Sequence, residues 1–156
     1  MEIRLAVPSE AEQLWFIRNN AIRHSCKQSF SHSVIMAWTP DKMPESYRTM
    51  VEENPFFVVV NELNIPIATG FLNLKQHSVD AIFTLPEYSG LGAARLIMDR
   101  IKQEAKFRHI KQLTLESTPN AERFYQKQGF ISQNKGQYYS ALAQSYLPCI
   151  NMTLSL

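Results

Sequence analysis

A run of five apolar residues, Phe56–Val60, constrains the fold of this chain more than any other segment. It reads Phe-Phe-Val-Val-Val, and its aromatic and β-branched side chains favour an extended strand. Because successive side chains of a strand point to opposite faces, an unbroken apolar run is typical of a strand that is buried on both faces. Such a strand belongs inside a sheet that is covered on both sides.

The segments around this strand alternate between extended and helical patterns. Further strands are predicted over residues 3–6, 65–74, 79–85, 113–115, 130–132 and 149–154. Helices are predicted after a capping box at Ser9 and Glu12, over residues 35–38, after Thr39-Pro40, over the amphipathic stretch that ends near residue 106, and over residues 119–128. The segment 23–34 is polar and is predicted to be a loop. This order indicates a single α/β domain with a mixed sheet, spanning residues 1–156.

Composition excludes several classes of protein. The net charge of the 156 residues is only +2, which argues against a nucleic-acid or membrane-surface partner. No apolar run approaches the roughly 20 residues that span a bilayer. The N-terminus lacks the pattern of a signal peptide. Cys26 and Cys149 have no metal-ligand spacing and are expected to be buried thiols. A cytoplasmic protein without a metal is therefore expected.

The chemistry is concentrated in a strand, loop and helix over residues 79–106. The loop Ser89-Gly90-Leu91-Gly92 precedes the helix, so backbone amides and the positive end of the helix dipole form an anion site suited to a diphosphate. The loop lacks the Lys of a P-loop, and Arg95 stands where a dinucleotide fingerprint has a small residue. A purely structural turn remains an alternative on spacing alone.

Two motifs in this order resemble the hallmarks of the GNAT superfamily of N-acetyltransferases. Residues 86–94 resemble its acetyl-CoA-binding motif, Gln/Arg-x-x-Gly-x-Gly/Ala, with Gly92 and Ala94 on the small positions and Ser89 where Gln or Arg is usual. Residues 117–130 are similar to its second hallmark, a short helix with Phe-Tyr followed by Gly-Phe. Thr118 stands where many members carry an Asn.

The resemblance implies a mixed, mostly antiparallel sheet of six or seven strands flanked by about four helices. It implies acetyl-CoA as co-substrate and no metal. The cofactor-binding residues would be Phe83, Thr84, Leu85, Ser89, Gly90, Leu91, Gly92, Ala93, Ala94, Thr118, Asn120 and Tyr125. Phe83, Thr84 and Leu85 would act through backbone amides, because the family's strand at this place splays from its neighbour.

The resemblance also implies direct attack of an amine on the thioester. Tyr125 matches the Tyr that often protonates the CoA thiolate in this family. Asp80 and Glu116 are the candidates for the general base, with His77 as a third. Packing against the sheet is the alternative role for Tyr125, and an ordinary strand-end position is the alternative for the acidic residues.

The acceptor is expected to be a primary amine of a small molecule or a peptide. Its pocket would lie between the N-terminal helices and the last strands, with Met36, Trp38 and Tyr138 as binding residues and with further aromatic side chains at Tyr47 and Tyr139. His24 and His32 are expected to have no catalytic role. Residues 23–34 and 133–146 are expected to set acceptor choice. The oligomeric state, including a homodimer, stays open.

A second class of function competes with catalysis. The changes at Ser89 and Thr118 are compatible with an acyl-CoA-binding module that regulates or interacts without transferring an acyl group. The presence of Tyr125 favours a catalytic function over such a module. A nucleotide-binding domain is disfavoured by the missing phosphate-binding Lys.

Overall fold

A seven-stranded sheet forms the centre of the computed structural model, which describes residues 1–156. The strands are β1 (Glu2–Leu5), β2 (Phe56–Val60), β3 (Pro66–Asn73), β4 (Ser78–Thr84), β5 (Gln112–Ser117), β6 (Ile131–Ser140) and β7 (Ser145–Ser155). Their order is β1-β2-β3-β4-β5-β7-β6, and only β4 and β5 run parallel. The expected α/β class and mixed, mostly antiparallel sheet are confirmed.

Five α-helices pack on the sheet. They are α1 (Ala11–Ser25), α2 (His32–Trp38), α3 (Glu45–Glu53), α4 (Ala93–Phe107) and α5 (Glu122–Lys127). Three single 3₁₀ turns, Pro8–Glu10, Pro86–Tyr88 and Pro119–Ala121, each begin at a proline. None of the helices is long and apolar enough to cross a membrane.

Strand β2 is buried at all five positions, as its sequence predicts. Phe57 and Val59 face the α4 side and belong to one core cluster with Ile97. Phe56, Val58 and Val60 face the opposite side and pack with α1 and α3 in a second cluster. The helices thus cover both faces of the sheet, which is why an unbroken apolar run is stable there.

Strands β4 and β5 separate from each other soon after they meet. They pair at one position, Ser78 with Thr114. On its other side, β4 carries a bulge: Leu72 pairs with Val79, but Gly70 pairs with Ile82, so β4 has one extra residue. A bulge of this kind bends a strand and re-aims its side chains. The result is an opening between the carboxyl ends of β4 and β5.

The segment 23–34 is more helical than predicted. Helix α1 continues to Ser25, and α2 begins at His32 after an N-cap at Ser31, whose Oγ accepts from the Val34 amide at 3.3 Å. Only the short connection between Ser25 and Ser31 is irregular. The polar residues misled the prediction because they cover the solvent side of helices that tertiary contacts hold in place.

Two predicted helix starts were wrong. Thr39 ends α2 instead of starting a helix, since its Oγ1 donates to the Ile35 carbonyl at 2.8 Å. The next helix begins at Glu45. At the first helix, the predicted cap Ser9 lies inside a 3₁₀ turn, and the Glu10 carboxylate instead accepts from the Val7 amide at 2.8 Å.

The C-terminal hairpin was also longer than predicted. The segment 133–146 forms most of β6 and the start of β7, which pair from Ile131–Thr153 to Ser140–Ser145. Strand β6 is the outer edge of the sheet, and most of its residues are exposed. An edge strand with two polar faces lacks the alternating pattern by which strands are recognised, so only its pairing with β7 defines it.

Candidate functional site

A cavity of about 1230 Å³ occupies the opening between β4 and β5. Its walls come from α1, α2, both diverging strands, the start of α4, the turn before α5, and the β6–β7 hairpin. Single small ligands usually occupy roughly 300–1,000 Å³. The cavity is therefore large enough for a site at which two substrates meet.

The N-terminal turn of α4 borders this cavity through Ala94. Gly92 is its N-cap residue with φ of 89°, and Gly90 has φ of 77°. A Cβ atom at either glycine would contact nothing within 4 Å, so the left-handed backbone, and not crowding, requires glycine. The first helical bond runs from the Leu96 amide to the Gly92 carbonyl at 3.1 Å. The amides of the first turn consequently lack intrahelical acceptors and can bind an anion.

Ser89 closes the turn before this helix. Its Oγ donates to the Pro86 carbonyl at 2.8 Å, so the hydroxyl is engaged within its own turn. A serine is also too short to extend along an adjacent ligand as a Gln or Arg would. An anion bound at this end of the cavity would therefore depend on backbone amides more than on the side chain of Ser89.

The predicted cofactor residues divide into two groups. Those that line the cavity are Phe83, Thr84, Ser89, Ala94, Thr118, Asn120 and Tyr125. Those that do not are Leu85, Gly90, Leu91, Gly92 and Ala93, which belong to the strand end, the turn and the buried side of α4.

The backbone amides of β4 refine the prediction for this strand. The Leu85 amide donates to the Ile67 carbonyl of β3 at 2.9 Å, so the prediction that this amide is free was wrong. Amide directions alternate along a strand. Phe83 therefore points its amide toward β3 as well, whereas Ile82 and Thr84 point theirs into the opening. Ile82 is thus a functional candidate that the sequence did not reveal.

Tyr125 lies at the base of the opening with its side chain 7% exposed. Its ring packs edge-on against Phe124 and Phe130, with centroids 5.2 and 6.0 Å apart. Burial raises the pKa of the phenol to about 12, and a hydrogen bond with the Ile82 backbone acts in the opposite direction. The phenol is therefore protonated at neutral pH and lies beside an amide of the diverging strand.

Two carboxylates line the same cavity. Asp80 accepts hydrogen bonds from Ser78 Oγ at 2.5 Å and from Asn73 Nδ2 at 3.1 Å, which fix its orientation on the bulge of β4. Glu116 on β5 lies 3.9 Å from Cys149 Sγ, and burial together with Glu116 raises the pKa of that thiol. His77 is exposed and does not line the cavity.

The cavity wall next to α5 contains a buried thiol. Cys26 Sγ lies 3.7 Å from Asn120 Oδ1. Burial raises the pKa of Cys26 to about 11, against the effect of hydrogen bonds to Asn120 and Thr118. The thiol remains protonated at neutral pH. The Cys26 side chain packs in the cavity wall and can act as a weak hydrogen-bond donor. Nothing in the surrounding sequence indicated that Cys26 would lie there.

The predicted acceptor residues are only partly brought together. Trp38 and Tyr138 line the cavity, but Met36 does not, because it lies on the outer side of α2 with 46% of its surface exposed. Tyr47 packs edge-on against Trp15 at 5.0 Å, and Tyr139 packs against Tyr146 outside the cavity. Neither His24 nor His32 lines it; both are exposed.

Arg18 is a second functional candidate that the sequence analysis missed. It is the sole Lys, Arg or His side chain among the cavity-lining residues. Burial lowers the pKa of its guanidinium to about 10. One signal could have found it: Arg18 is three or four residues from Leu14, Trp15, Ala21 and Ile22, and so stands within the apolar face of α1. A charged side chain within an apolar helix face is unusual, and it indicates a specific structural or functional role.

Known proteins share both the sequence pattern and the fold. A family model described as "Acetyltransferase (GNAT) domain" matches residues 24–155. The chain is 25% identical to the Escherichia coli K12 protein named "Uncharacterized N-acetyltransferase YafP", over 95% of this chain and 97% of that one. It is 28% identical to the E. coli K12 "Peptidyl-lysine N-acetyltransferase YjaB", over 64% of this chain and 65% of the relative.

The fold agrees with a solved structure that contains coenzyme A. The PaiA N-acetyltransferase from Thermoplasma acidophilum, solved in complex with coenzyme A, superimposes with a TM-score of 0.80. The match covers 99% of this chain and 98% of that one at 14% identity. Because the family model spans most of the chain, and the near-full-length match to YafP and the fold agree with it, the chain belongs to the GNAT family of acetyltransferases.

Proposed function

We propose that this enzyme transfers the acetyl group of acetyl-CoA to a primary amine by direct attack, with Tyr125 as general acid. One observation carries the proposal. The opening between β4 and β5 is lined by the Tyr125 phenol, by the start of α4 at Ala94, and by the carboxylates Asp80 and Glu116. An anion site, an acid and two bases around one cavity are the groups that this reaction needs.

The reaction forms one C–N bond and breaks one C–S bond. The acceptor nitrogen attacks the thioester carbonyl, and the electron pair of the broken bond leaves on sulfur. The nitrogen loses one proton, which Asp80 or Glu116 accepts. The sulfur gains one proton, which Tyr125 donates. Exchange with solvent restores the carboxylate and the phenol after the products leave.

The high pKa of Tyr125 bears on its role. A phenol with a pKa of about 12 is fully protonated at neutral pH, so its proton is always available. A thiolate formed in the same cavity is also desolvated, and desolvation raises a thiol's pKa above its usual 8.5 or so. Desolvation thus shifts the pKa of the thiol in the same direction as that of the phenol, so the raised pKa of Tyr125 is compatible with proton donation as the C–S bond breaks.

A backbone amide would polarise the carbonyl. Thr84 directs its amide into the opening, as the Leu85–Ile67 hydrogen bond and strand alternation indicate. The Ile82 amide points to the same side but donates to the Tyr125 phenol, so it would position the acid. Fixed N–H groups that point at a developing oxyanion lower the barrier without having to reorient.

The test is to replace Tyr125 by Phe and to follow thiol release from acetyl-CoA with a panel of amines and Lys-containing peptides. We expect kcat to fall about 100-fold or more, as for loss of a general acid, with acetyl-CoA affinity nearly unchanged. Tyr139→Phe is the matched control, since Tyr139 lies outside the cavity. A fall in acetyl-CoA affinity equal to the fall in turnover would instead assign Tyr125 a packing role.

The same assay distinguishes the second candidate function. The engaged hydroxyl of Ser89 and the presence of Thr118 are compatible with an acyl-CoA-binding module without turnover. In that case acetyl-CoA would bind, but neither small amines nor peptides would accelerate thiol release. Peptides belong in the panel because the relative YjaB is named a peptidyl-lysine N-acetyltransferase.

A further inference from the structure

The guanidinium of Arg18 is held in place by its neighbours. Its Cζ lies 4.2 Å from the centroid of the Trp15 ring. Its Nη1 donates to Asn19 Oδ1 at 2.8 Å and to the Trp38 carbonyl at 3.1 Å. A stacked aromatic ring and two hydrogen bonds leave the planar group little freedom. Arg18 is therefore preorganised, unlike a solvated surface arginine.

The remaining donors of Arg18 have no acceptor in the protein. Nε and Nη2 make no hydrogen bond, and no carboxylate lies within 4 Å of the guanidinium. No buried side-chain nitrogen in the molecule lacks a partner. Nε and Nη2 therefore retain accessible surface, and Arg18 is one of the residues that line the cavity.

A cation in this position is costly unless an anion joins it. Burial lowers the pKa of Arg18 to about 10, and its Coulombic neighbours are the phenols of Tyr47 and Tyr138. A buried or half-buried charge is normally paired. The Trp15 ring and the Trp38 carbonyl offset the cost of burying this charge only in part. A ligand that brings its own carboxylate would complete the site, and the free Nε and Nη2 present the fork that a carboxylate accepts.

The cavity also contains the opposite charge. Asp80 and Glu116 line it, and Tyr138 lies within Coulombic range of both carboxylates and of Arg18. The carboxylates attract an ammonium group and can deprotonate it. The cavity thus has separate places for a cationic and an anionic group of one small molecule.

We propose that Arg18 binds the carboxylate of the acceptor, so that the preferred acceptors are primary amines that also carry a carboxylate, such as free amino acids. This inference rests on the proposed function, because it names the substrate class of the same site. It makes Arg18 a specificity-determining residue on α1.

The experiment compares acceptors in pairs that differ only by the carboxylate: tyrosine with tyramine, phenylalanine with phenethylamine, and lysine with cadaverine. For each pair, the ratio of kcat/KM for the amino acid to that for the amine is measured in the wild type, Arg18→Met and Arg18→Lys. We expect the ratio to exceed one for at least one pair in the wild type. Loss of charge-assisted hydrogen bonds in Arg18→Met should lower this ratio about 10- to 100-fold, chiefly through KM. Arg18→Lys should give an intermediate ratio.

Arg100→Met is the matched control. Its guanidinium lies 5.0 Å from the Phe57 ring but does not line the cavity, so the ratio should not change. A ratio has the further advantage that any turnover of the carboxylate-free amine shows that a variant is folded.

Binding gives a readout that is independent of turnover. The chain has two tryptophans; Trp15 stacks on Arg18, and the carbonyl of Trp38 accepts from it. Titration with each amino acid should therefore change the tryptophan fluorescence, and Arg18→Met should weaken the apparent affinity at least about 10-fold. The carboxylate-free amines should show no such difference between the two proteins.

Two outcomes would overturn the inference. One is a wild-type ratio at or below one for every pair. The other is a ratio, or a fluorescence titration, that Arg18→Met leaves unchanged. In either case acetylation of tyramine, phenethylamine, cadaverine or a Lys peptide would leave the proposed function intact. Absence of transfer to any amine, together with normal acetyl-CoA binding, would instead refute the proposed function.

Discussion

Replacing Gly70 by Ala tests how tightly helix α4 packs on the strands that form the cavity. Gly70 lies on β3, opposite the bulge of β4. A Cβ atom there would be 2.7 Å from Ile97 Cγ2, 2.9 Å from Ile82 Cγ1 and 3.2 Å from the Ala81 carbonyl oxygen. Carbon atoms in contact prefer about 3.5–4.0 Å. The helix or the bulged strand must therefore move by roughly 1 Å.

The cost follows from two opposing effects. Overpacking of a filled core destabilises by about 1–3 kcal/mol, and Ile97 is fully buried, so it has no free space to enter. Alanine also restricts the unfolded chain, which stabilises by about 0.4–1 kcal/mol. Subtracting the two effects gives a net loss in free energy of unfolding of at most about 2.6 kcal/mol and centrally about 1.3 kcal/mol. For a domain of this length, the central value corresponds to a fall in Tm of about 3–5 °C.

The assay is urea and thermal unfolding of the wild type, Gly70→Ala and Gly136→Ala. Gly136 is the matched control: its Cβ would be 2.7 Å from Asn151 Nδ2, the end of a half-buried side chain that can rotate away. We expect Gly136→Ala to stay within about 0.5 kcal/mol of the wild type. Since Ile82 and α4 both border the cavity, Gly70→Ala should also raise the KM for acetyl-CoA. Equal stability of the two variants would refute the reasoning.

Two further predictions concern the α4 turn and the N-terminal ion pair. Gly92→Ala should destabilise by about 1–2 kcal/mol and raise the KM for acetyl-CoA more than it lowers kcat, because φ of 89° is strained for any residue with a Cβ; an unchanged KM would contradict a role for this turn in binding. The hydrogen bond from Arg4 holds the pKa of Glu10 below its usual value, so the ion pair stabilises above about pH 4.3 and loses its effect as pH falls through the lowered pKa. The difference in unfolding free energy between wild type and Glu10→Gln should therefore be larger at pH 7 than at pH 3. A pH-independent difference would contradict the assignment.

The local sequence pattern was sufficient to predict a segment where that pattern lies within one helix or strand. The strand Phe56–Val60 was predicted with its observed bounds, because an unbroken apolar run is itself the requirement for burial on two faces. The same holds for the buried face of α4, where Ile97, Met98 and Ile101 recur at helical spacing and are fully buried. The loop, helix and Phe-Tyr motifs likewise indicated the GNAT family, which the comparisons confirm.

The remaining features of the fold and the site depend on contacts between residues that are distant in sequence. Strand β6 is polar on both faces and exists because β7 supplies its hydrogen bonds. Met36 and Trp38 are two residues apart on one short helix, yet only Trp38 reaches the cavity, since the side of α2 that faces inward depends on how the helix docks. Neither outcome can be obtained from local propensity.

The sequence alone determined the order of most strands and helices along the chain and the two motifs that indicate the GNAT family, because backbone preference and motif spacing are local properties. The tertiary structure decided which amides of β4 are free, through the bulge and the single pairing of Ser78 with Thr114. It also turned Arg18 from one polar residue on α1 into the sole basic side chain of the cavity. The electrostatic role of a charge depends on what surrounds it in space, and that is set by the packing of α1 against the sheet and α2.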